Sequence, residues 1–335
     1  MTQPARSLAG MARPRAYIQR IRREGFTPTE FHRICQMSLL AVCAIVVTGA
    51  AVRLSGSGLG CDDWPNCNSD KLVDVSSKHS AIEQVNRLFT FLVGLAVVLA
   101  ALGAWYRKPR RRDLLWLSMA IVAGIPAQGL VGAIVVWTNL HPATVQLHFV
   151  LSMVLIALAV VLLKRSSEPD GGRRISSVVP RTTRRVRLLV VWTGLAILAG
   201  TVVTGTGTHA GDLEARRFFG AENDVNGHAL QWVTRVHSAV VWIAVASALL
   251  LVWQLRRLRH DREVLDAPLT AWCCLAALQG AIGYLQYASG VPAALVGFHV
   301  AGATALWAVS VWLWTCTNRV SLSVDELVDH VTVDR

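Results

Sequence analysis

Apolar residues in this chain come in long unbroken blocks, not in stripes of helical or strand period. Eight blocks stand out, at roughly 33–52, 80–106, 113–137, 143–164, 186–206, 229–255, 267–288 and 293–317. Each is long enough to cross a bilayer as a helix, which takes about 20 apolar residues. The pattern therefore predicts an all-α membrane protein of eight transmembrane helices. The joints between blocks alternate in charge. The arm before the first block is basic (Arg13, Arg15, Arg20, Arg22, Arg23). Loop 53–79 is acidic and polar, with Asp62, Asp63, Asp70 and Asp74. The joint Arg107-Lys108-Pro109-Arg110-Arg111-Arg112 is basic again, and the next, Thr138 to Pro142, is neutral. Segment 164–187 is long and Arg-rich. Loop 207–228 is mixed, with Asp212, Glu214, Glu222 and Asp224. Arg256 to Arg262 is basic, and the joint near Ala288 to Val291 is short and neutral. Basic joints face the cytoplasm. Both termini are thus expected inside and loops 53–79 and 207–228 outside, as for a multi-pass protein of the plasma membrane. The full-length first block has no cleavage pattern after it, so the basic arm reads as a flank and not as a cleaved signal.

Composition adds little beyond excluding a soluble domain. Of 335 residues 53% are hydrophobic and only 16% charged, and the mean hydropathy is +0.44; soluble domains carry about 25% charge. The net charge of +12 would suit nucleic acid. Its confinement to short clusters between spans fits membrane orientation instead, so no nucleic-acid partner is expected; the lipid bilayer is.

The chain repeats itself at a constant offset of 151 residues, without a gap. Gln128-Gly129-x-x-Gly132 matches Gln279-Gly280-x-x-Gly283, and His148 matches His299. Gly49, Gly56 and Gly60 match Gly200, Gly207 and Gly211, and Asn86 matches His237. Repeats of four spans share one orientation. They predict two four-helix bundles related by a pseudo-twofold axis along the membrane normal. The expected organisation is a basic arm (1–32), an N-terminal half (33–163), a linker (164–185), a C-terminal half (186–317) and a tail (318–335).

Polar groups inside a bilayer are costly and mark function. Three histidines lie within spans, His148, His237 and His299. His237 and His299 belong to one half at similar depth, the arrangement in which two imidazoles clamp a six-coordinate haem iron between helices; hydrogen bonding to neighbouring helices is the bland alternative. In the N-terminal half His148 faces Asn86, a poor iron ligand. Glu83, Asn86 and Arg87 share one helix face. Glu83 with Arg87 reads either as a plain ion pair or as a catalytic or haem-orienting carboxylate. Arg53 and Arg235, at outer span ends, suit haem propionates or simple snorkelling. His79, His141, His209 and His228 are expected in loops. Cys35, Cys43, Cys273, Cys274 and Cys316 lie in or at spans as packing residues. Cys61 and Cys67 lie in an outer loop, where thiols oxidise, and are expected to form a disulfide, as a staple or as a redox pair.

The segment Gly49 to Cys67, GAAVRLSGSGLGCDDWPNC, resembles the first outer-loop signature of the haem A synthase family. The eight-span layout, Glu83 with Arg87, and His148, His237 and His299 fit the same family. The resemblance spans residues 33 to 317. It implies an oxidoreductase that converts the C8 methyl of haem O to the formyl of haem A through successive hydroxylations. It implies haem b as cofactor on His237 and His299, and the substrate haem in the N-terminal half. There His148 would be the iron ligand, Glu83 would lie close to the reacting edge, and Asn86, Arg87 and Arg53 would line the site. Implied partners are an electron-transfer protein, haem O synthase and cytochrome c oxidase assembly factors. The sequence departs from the pattern at Asn86, where the family usually has a second histidine. A membrane b-type cytochrome that only passes electrons shares His237 and His299 but leaves the altered half unexplained. A parallel-repeat transporter would show no haem absorption.

Overall fold

The computed structural model describes residues 19–212, 215–221, 223–224 and 226–322. Arg13, Arg15, Glu214, Glu222 and the tail from 323 onward lie outside the described residues. Eight long helices run in chain order: α1 (Pro28–Leu54), α2 (Lys78–Tyr106), α3 (Arg112–Trp137), α4 (Pro142–Ser166), α5 (Pro180–Thr206), α6 (His228–Leu255), α7 (Arg259–Ala288) and α8 (Ala293–Thr315). All eight are long and apolar enough to cross a membrane. The protein is therefore an all-α multi-pass membrane protein.

Several helices begin before their apolar block. α1 starts five residues earlier than expected, α5 six and α7 eight. Hydropathy detects only the lipid-facing part of a helix, whereas the backbone ladder continues into water as long as its ends are capped. α1 shows how. Thr27 Oγ1 accepts from Glu30 N at 3.2 Å and Glu30 Oε2 accepts from Thr27 N at 3.0 Å, with Pro28 in the first turn. This capping box satisfies two otherwise orphaned donors. At the start of α6, the Asp224 carboxylate accepts from Ala229 N at 2.7 Å. That amide bond holds the Asp224 carboxyl below the usual carboxylate range. The same extension corrects two residues expected in loops: His79 sits in the first turn of α2, and His228 is the first residue of α6.

Apolar side chains face both inward and outward, as lipid demands. Leu40, Phe91, Trp116, Leu249 and Phe298 are each more than 60% exposed. Lipid tails are as apolar as leucine, so close packing and interhelical hydrogen bonds must hold the helices together. Within the first four helices, α1 packs on α2 and α4, and α3 on α2 and α4. Within the last four, α5 packs on α6 and α8, and α7 mainly on α8. Phe31, Val97, Ile121, Ile156 and Leu162 fill one core; Val186, Leu189, Leu251, Leu265 and Leu313 fill the other. The two sets of helices meet where α1 packs on α8 and α4 on α5 and α8. Trp307 Nε1 donates across this seam to Met153 O at 2.8 Å.

The basic joints are more than solvated flanks. Arg107 is 1% exposed and pairs with Asp170 at 2.8 Å. Arg111 pairs with Asp113 at 2.8 Å and donates to Arg165 O at 3.1 Å. The linker adds β1 (Arg173–Ser176), antiparallel to β2 (Asn318–Ser321), in the register Arg173 to Ser321 through Ser176 to Asn318. This ribbon ties the linker to the end of α8.

Candidate functional site

The opposite face, where the acidic loops lie, is closed by interlocking loops. Gly58 N donates to Gly211 O at 3.1 Å. The buried Arg53 guanidinium donates from Nε to His209 O at 2.8 Å and from Nη2 to Thr204 O at 3.3 Å. His209 Nε2–H in turn donates to Val291 O at 2.8 Å. Arg53 thus ties the end of α1 to the last turn of α5 and the loop after it by their carbonyls. Arg235 is exposed near the start of α6.

Cys61 and Cys67 form a disulfide. Its loop is anchored on α2 by the pair expected from the sequence. Arg87 donates to Glu83 Oε1 from Nε at 3.1 Å and from Nη2 at 2.8 Å, while Glu83 Oε2 accepts from Cys61 N at 2.8 Å. Arg87 also donates to Asn66 O at 3.0 Å and Asp63 O at 3.2 Å. Glu83 is 8% exposed. Both of its oxygens carry a donor, so the carboxyl group is held in one place. Gly60 makes the close approach possible, because a Cβ there would overlap the His79 carbonyl and lie 2.8 Å from Ser80 N. His79 Nδ1 lies 2.9 Å from Ser57 Oγ.

Below this lid sit the three histidines, each against a glycine. A Cβ at Gly200 would lie 3.2 Å from His237 Cε1. One at Gly283 would lie 3.5 Å from His299 Cε1, and one at Gly132 would lie 3.6 Å from His148 Cε1. The ring of His237 is fixed by a hydrogen bond from Nδ1 to Ala196 O at 3.0 Å. A carbonyl only accepts, so the proton is on Nδ1 and the Nε2 lone pair is free. That is the tautomer of a metal-ligating histidine. The donor chemistry of the His237 and His299 pair suits a haem iron, which needs two axial nitrogens and takes its other four from the porphyrin. Among the described residues no group of three or more His, Cys, Asp and Glu comes together as a site for a bare metal ion.

The N-terminal half differs at the matching positions. His148 Nδ1 and Asn86 Oδ1 are buried and without a hydrogen-bond partner among the described residues. Gly49, the counterpart of Gly200, meets nothing within 4 Å where a Cβ would stand. Asn86 is shorter than its counterpart His237.

Reading the sequence for site residues missed Gln128 and Gln279, taken only as repeat markers. Gln128 Nε2 donates to His148 O at 3.3 Å and to Ser152 Oγ at 2.7 Å. In the orientation that satisfies its hydrogen bonds, the Gln279 amide nitrogen donates to His299 O at 3.1 Å and to His299 Nδ1 at 2.8 Å. The signal was present: each glutamine precedes its histidine by 20 residues.

Known proteins resemble this arrangement along most of the chain. A heme A synthase of Listeria monocytogenes is 28% identical over 295 residues, covering 84% of this chain and 94% of that protein. One of Alkalihalophilus pseudofirmus is 28% identical over 265 residues, covering 75% and 83%. One of Bacillus licheniformis is 24% identical over 259 residues, covering 76% and 83%. The family described as cytochrome oxidase assembly protein (COX15-CtaA) matches residues 32–81 and 71–311. The chain belongs to this family, that of the haem A synthases, and so to haem A biosynthesis.

Proposed function

We propose that this protein oxidises the C8 methyl of haem O to the formyl of haem A, with a resident haem b in residues 186–317 and the substrate in residues 33–163. The observation that carries this reading is the contrast between the repeat-related sites. His237 offers Nε2 with its proton committed to Ala196 O on Nδ1, whereas the matching Asn86 offers no ligand nitrogen, and a Cβ at Gly49 would meet nothing within 4 Å. A site with two imidazoles suits a haem that stays. A site with His148 alone suits one that enters, reacts and leaves. Pseudo-twofold symmetry between the halves accounts for the shared glycines and glutamines.

In the net reaction the methyl and one water together lose four electrons and four protons, the electrons passing to an electron-transfer partner, through a geminal diol that dehydrates to the aldehyde. When bound, haem b supplies one-electron transfer between this site and an electron-transfer partner. The protein's own contribution is position and charge. Glu83 already accepts from Arg87 and Cys61 N, which fixes its carboxyl group in place. Its role is to stabilise positive charge developing at the methyl carbon. Arg87 fixes Glu83, Asn86 lies one turn along the same face, and Arg53 holds the loops closed above the substrate. The basic face, with both chain ends, is cytoplasmic in a plasma membrane, and the disulfide loop lies outside, consistent with its oxidised cysteines.

The test is expression in a host that makes haem O but no haem A, followed by pigment extraction and an absorption spectrum of the purified protein. The expected result is bound haem b and new haem A. Bound haem with unchanged haem O would make the protein an electron carrier, and a colourless protein would remove haem chemistry altogether. Glu83→Ala should keep haem b and stop conversion; an unchanged haem A yield would remove the role given to Glu83.

A further inference from the structure

His237 and His299 both have a partner on Nδ1, and His148 has none among the described residues. For His299 the partner is the Gln279 amide, 2.8 Å from Nδ1. It reaches that point through a gap in α8 made by Gly302. A Cβ at Gly302 would overlap the amide and lie 2.8 Å from Gln279 Cδ. At the matching position the N-terminal half has Leu151 in place of Gly302, and Ser152 in place of Ala303. There Gln128 turns to Ser152 Oγ at 2.7 Å. Gln128 Oε1 and His148 Nδ1 are both buried and without partners among the described residues. One repeat therefore completes a contact between glutamine amide and imidazole that the other, with the same glutamine and the same histidine, leaves open.

We propose that Gln279, admitted by Gly302, is a positioning residue that orients His299 and strengthens its grip on iron, and that Leu151 and Ser152 withhold this support from His148. The inference rests on the reading that His237 and His299 hold a resident haem. An imidazole that gives Nε2 to a metal carries its proton on Nδ1, and the partner it then meets must accept. In the structure the amide nitrogen donates to a bare Nδ1; with a metal on Nε2 the amide must turn over so that its oxygen accepts from Nδ1–H, and an amide can do either. Neither a carboxylate nor an ammonium does both. Partners of this kind set ligand orientation and basicity, and losing one typically costs 10–100-fold in metal affinity. The asymmetry thus separates a haem that must be retained from a haem that must be released.

The experiment uses the full chain in detergent with haem bound, comparing wild type with Gln279→Leu, Gln279→Glu and, in the other half, Gln128→Leu. Haem loss to excess apomyoglobin, the midpoint potential of haem b and the low-spin ferric EPR spectrum are read. Gln279→Leu should lose haem b roughly tenfold or more faster and raise its potential. Gln279→Glu, the same shape with a stronger acceptor, should retain haem and lower the potential. Gln128→Leu should change none of the three. Opposite signs for two variants at one position do not arise from a loss of packing. If Gln279→Leu does not fold, the fall in potential of Gln279→Glu carries the test. A wild-type protein with haem b, and variants that match it in loss rate, potential and spectrum, would overturn this inference alone. A wild type that binds no haem would overturn the reading beneath it as well.

Discussion

Substituting Gly60 by alanine adds one methyl group at the point where the disulfide loop crosses the start of α2. The new Cβ would overlap the His79 carbonyl and lie 2.8 Å from Ser80 N, and none of these backbone atoms can swing aside. Relief requires moving the loop by roughly an ångström; overpacking of this kind costs about 1–3 kcal/mol. The next residue supplies the Cys61 N–H that Glu83 Oε2 accepts at 2.8 Å. A hydrogen bond to a charged group contributes about 1.5–3 kcal/mol, and a loop displaced by an ångström loses most of it. The combined cost of about 3–5 kcal/mol falls on loop opening, because the bundle cores are untouched. With each 1.4 kcal/mol a factor of ten, amide hydrogen exchange in residues 61–77 should speed up by roughly 100-fold or more. The assay is exchange mass spectrometry in nanodiscs, with Gly280→Ala as control, since a Cβ at Gly280 meets nothing within 4 Å. Wild-type protection of 61–77 in Gly60→Ala would refute the argument that this glycine is required for the loop's seat on α2.

His237→Ala and His299→Ala should each strip haem b from the purified protein, while His148→Ala keeps it, as read by the pyridine haemochrome. Arg53→Ala removes the bonds to His209 O and Thr204 O and leaves two carbonyls short of a donor; a loss of about 2–3 kcal/mol is expected, seen as a fall of several degrees in the unfolding midpoint by intrinsic fluorescence. Asp224 has its carboxyl held below its unfolded value by the Ala229 amide. Its support for the start of α6 is full above the unfolded carboxylate pKa of about 4 and is lost as pH falls through the lower folded value. Exchange at Ala229, corrected for intrinsic rate, should therefore rise on acidification below about pH 4 and lose that dependence in Asp224→Asn.

The amino-acid order alone determined the eight spans, because a lipid solvent demands a continuous apolar stretch for each crossing and tolerates few alternatives. It also determined which residues are paired by the repeat, since a constant offset needs no coordinates, and that Glu83 and Arg87 share a helix face four residues apart. Where each helix begins was not legible from hydropathy, because capped helices run on past the apolar block. The ribbon of β1 with β2 was equally hidden: each strand is four residues with a single apolar side chain, Ile175 or Val320, and their partners lie more than 140 residues away. Only the tertiary structure decided what the carbonyls, amides and glycines do around the histidines. Ala196 O fixes the His237 proton, and Gly302 admits Gln279 to His299. These contacts depend on which backbone atoms of distant helices come within 3 Å of a ring, a matter of rotation and approach between helices. The order of side chains along one helix does not encode that distance; packing does.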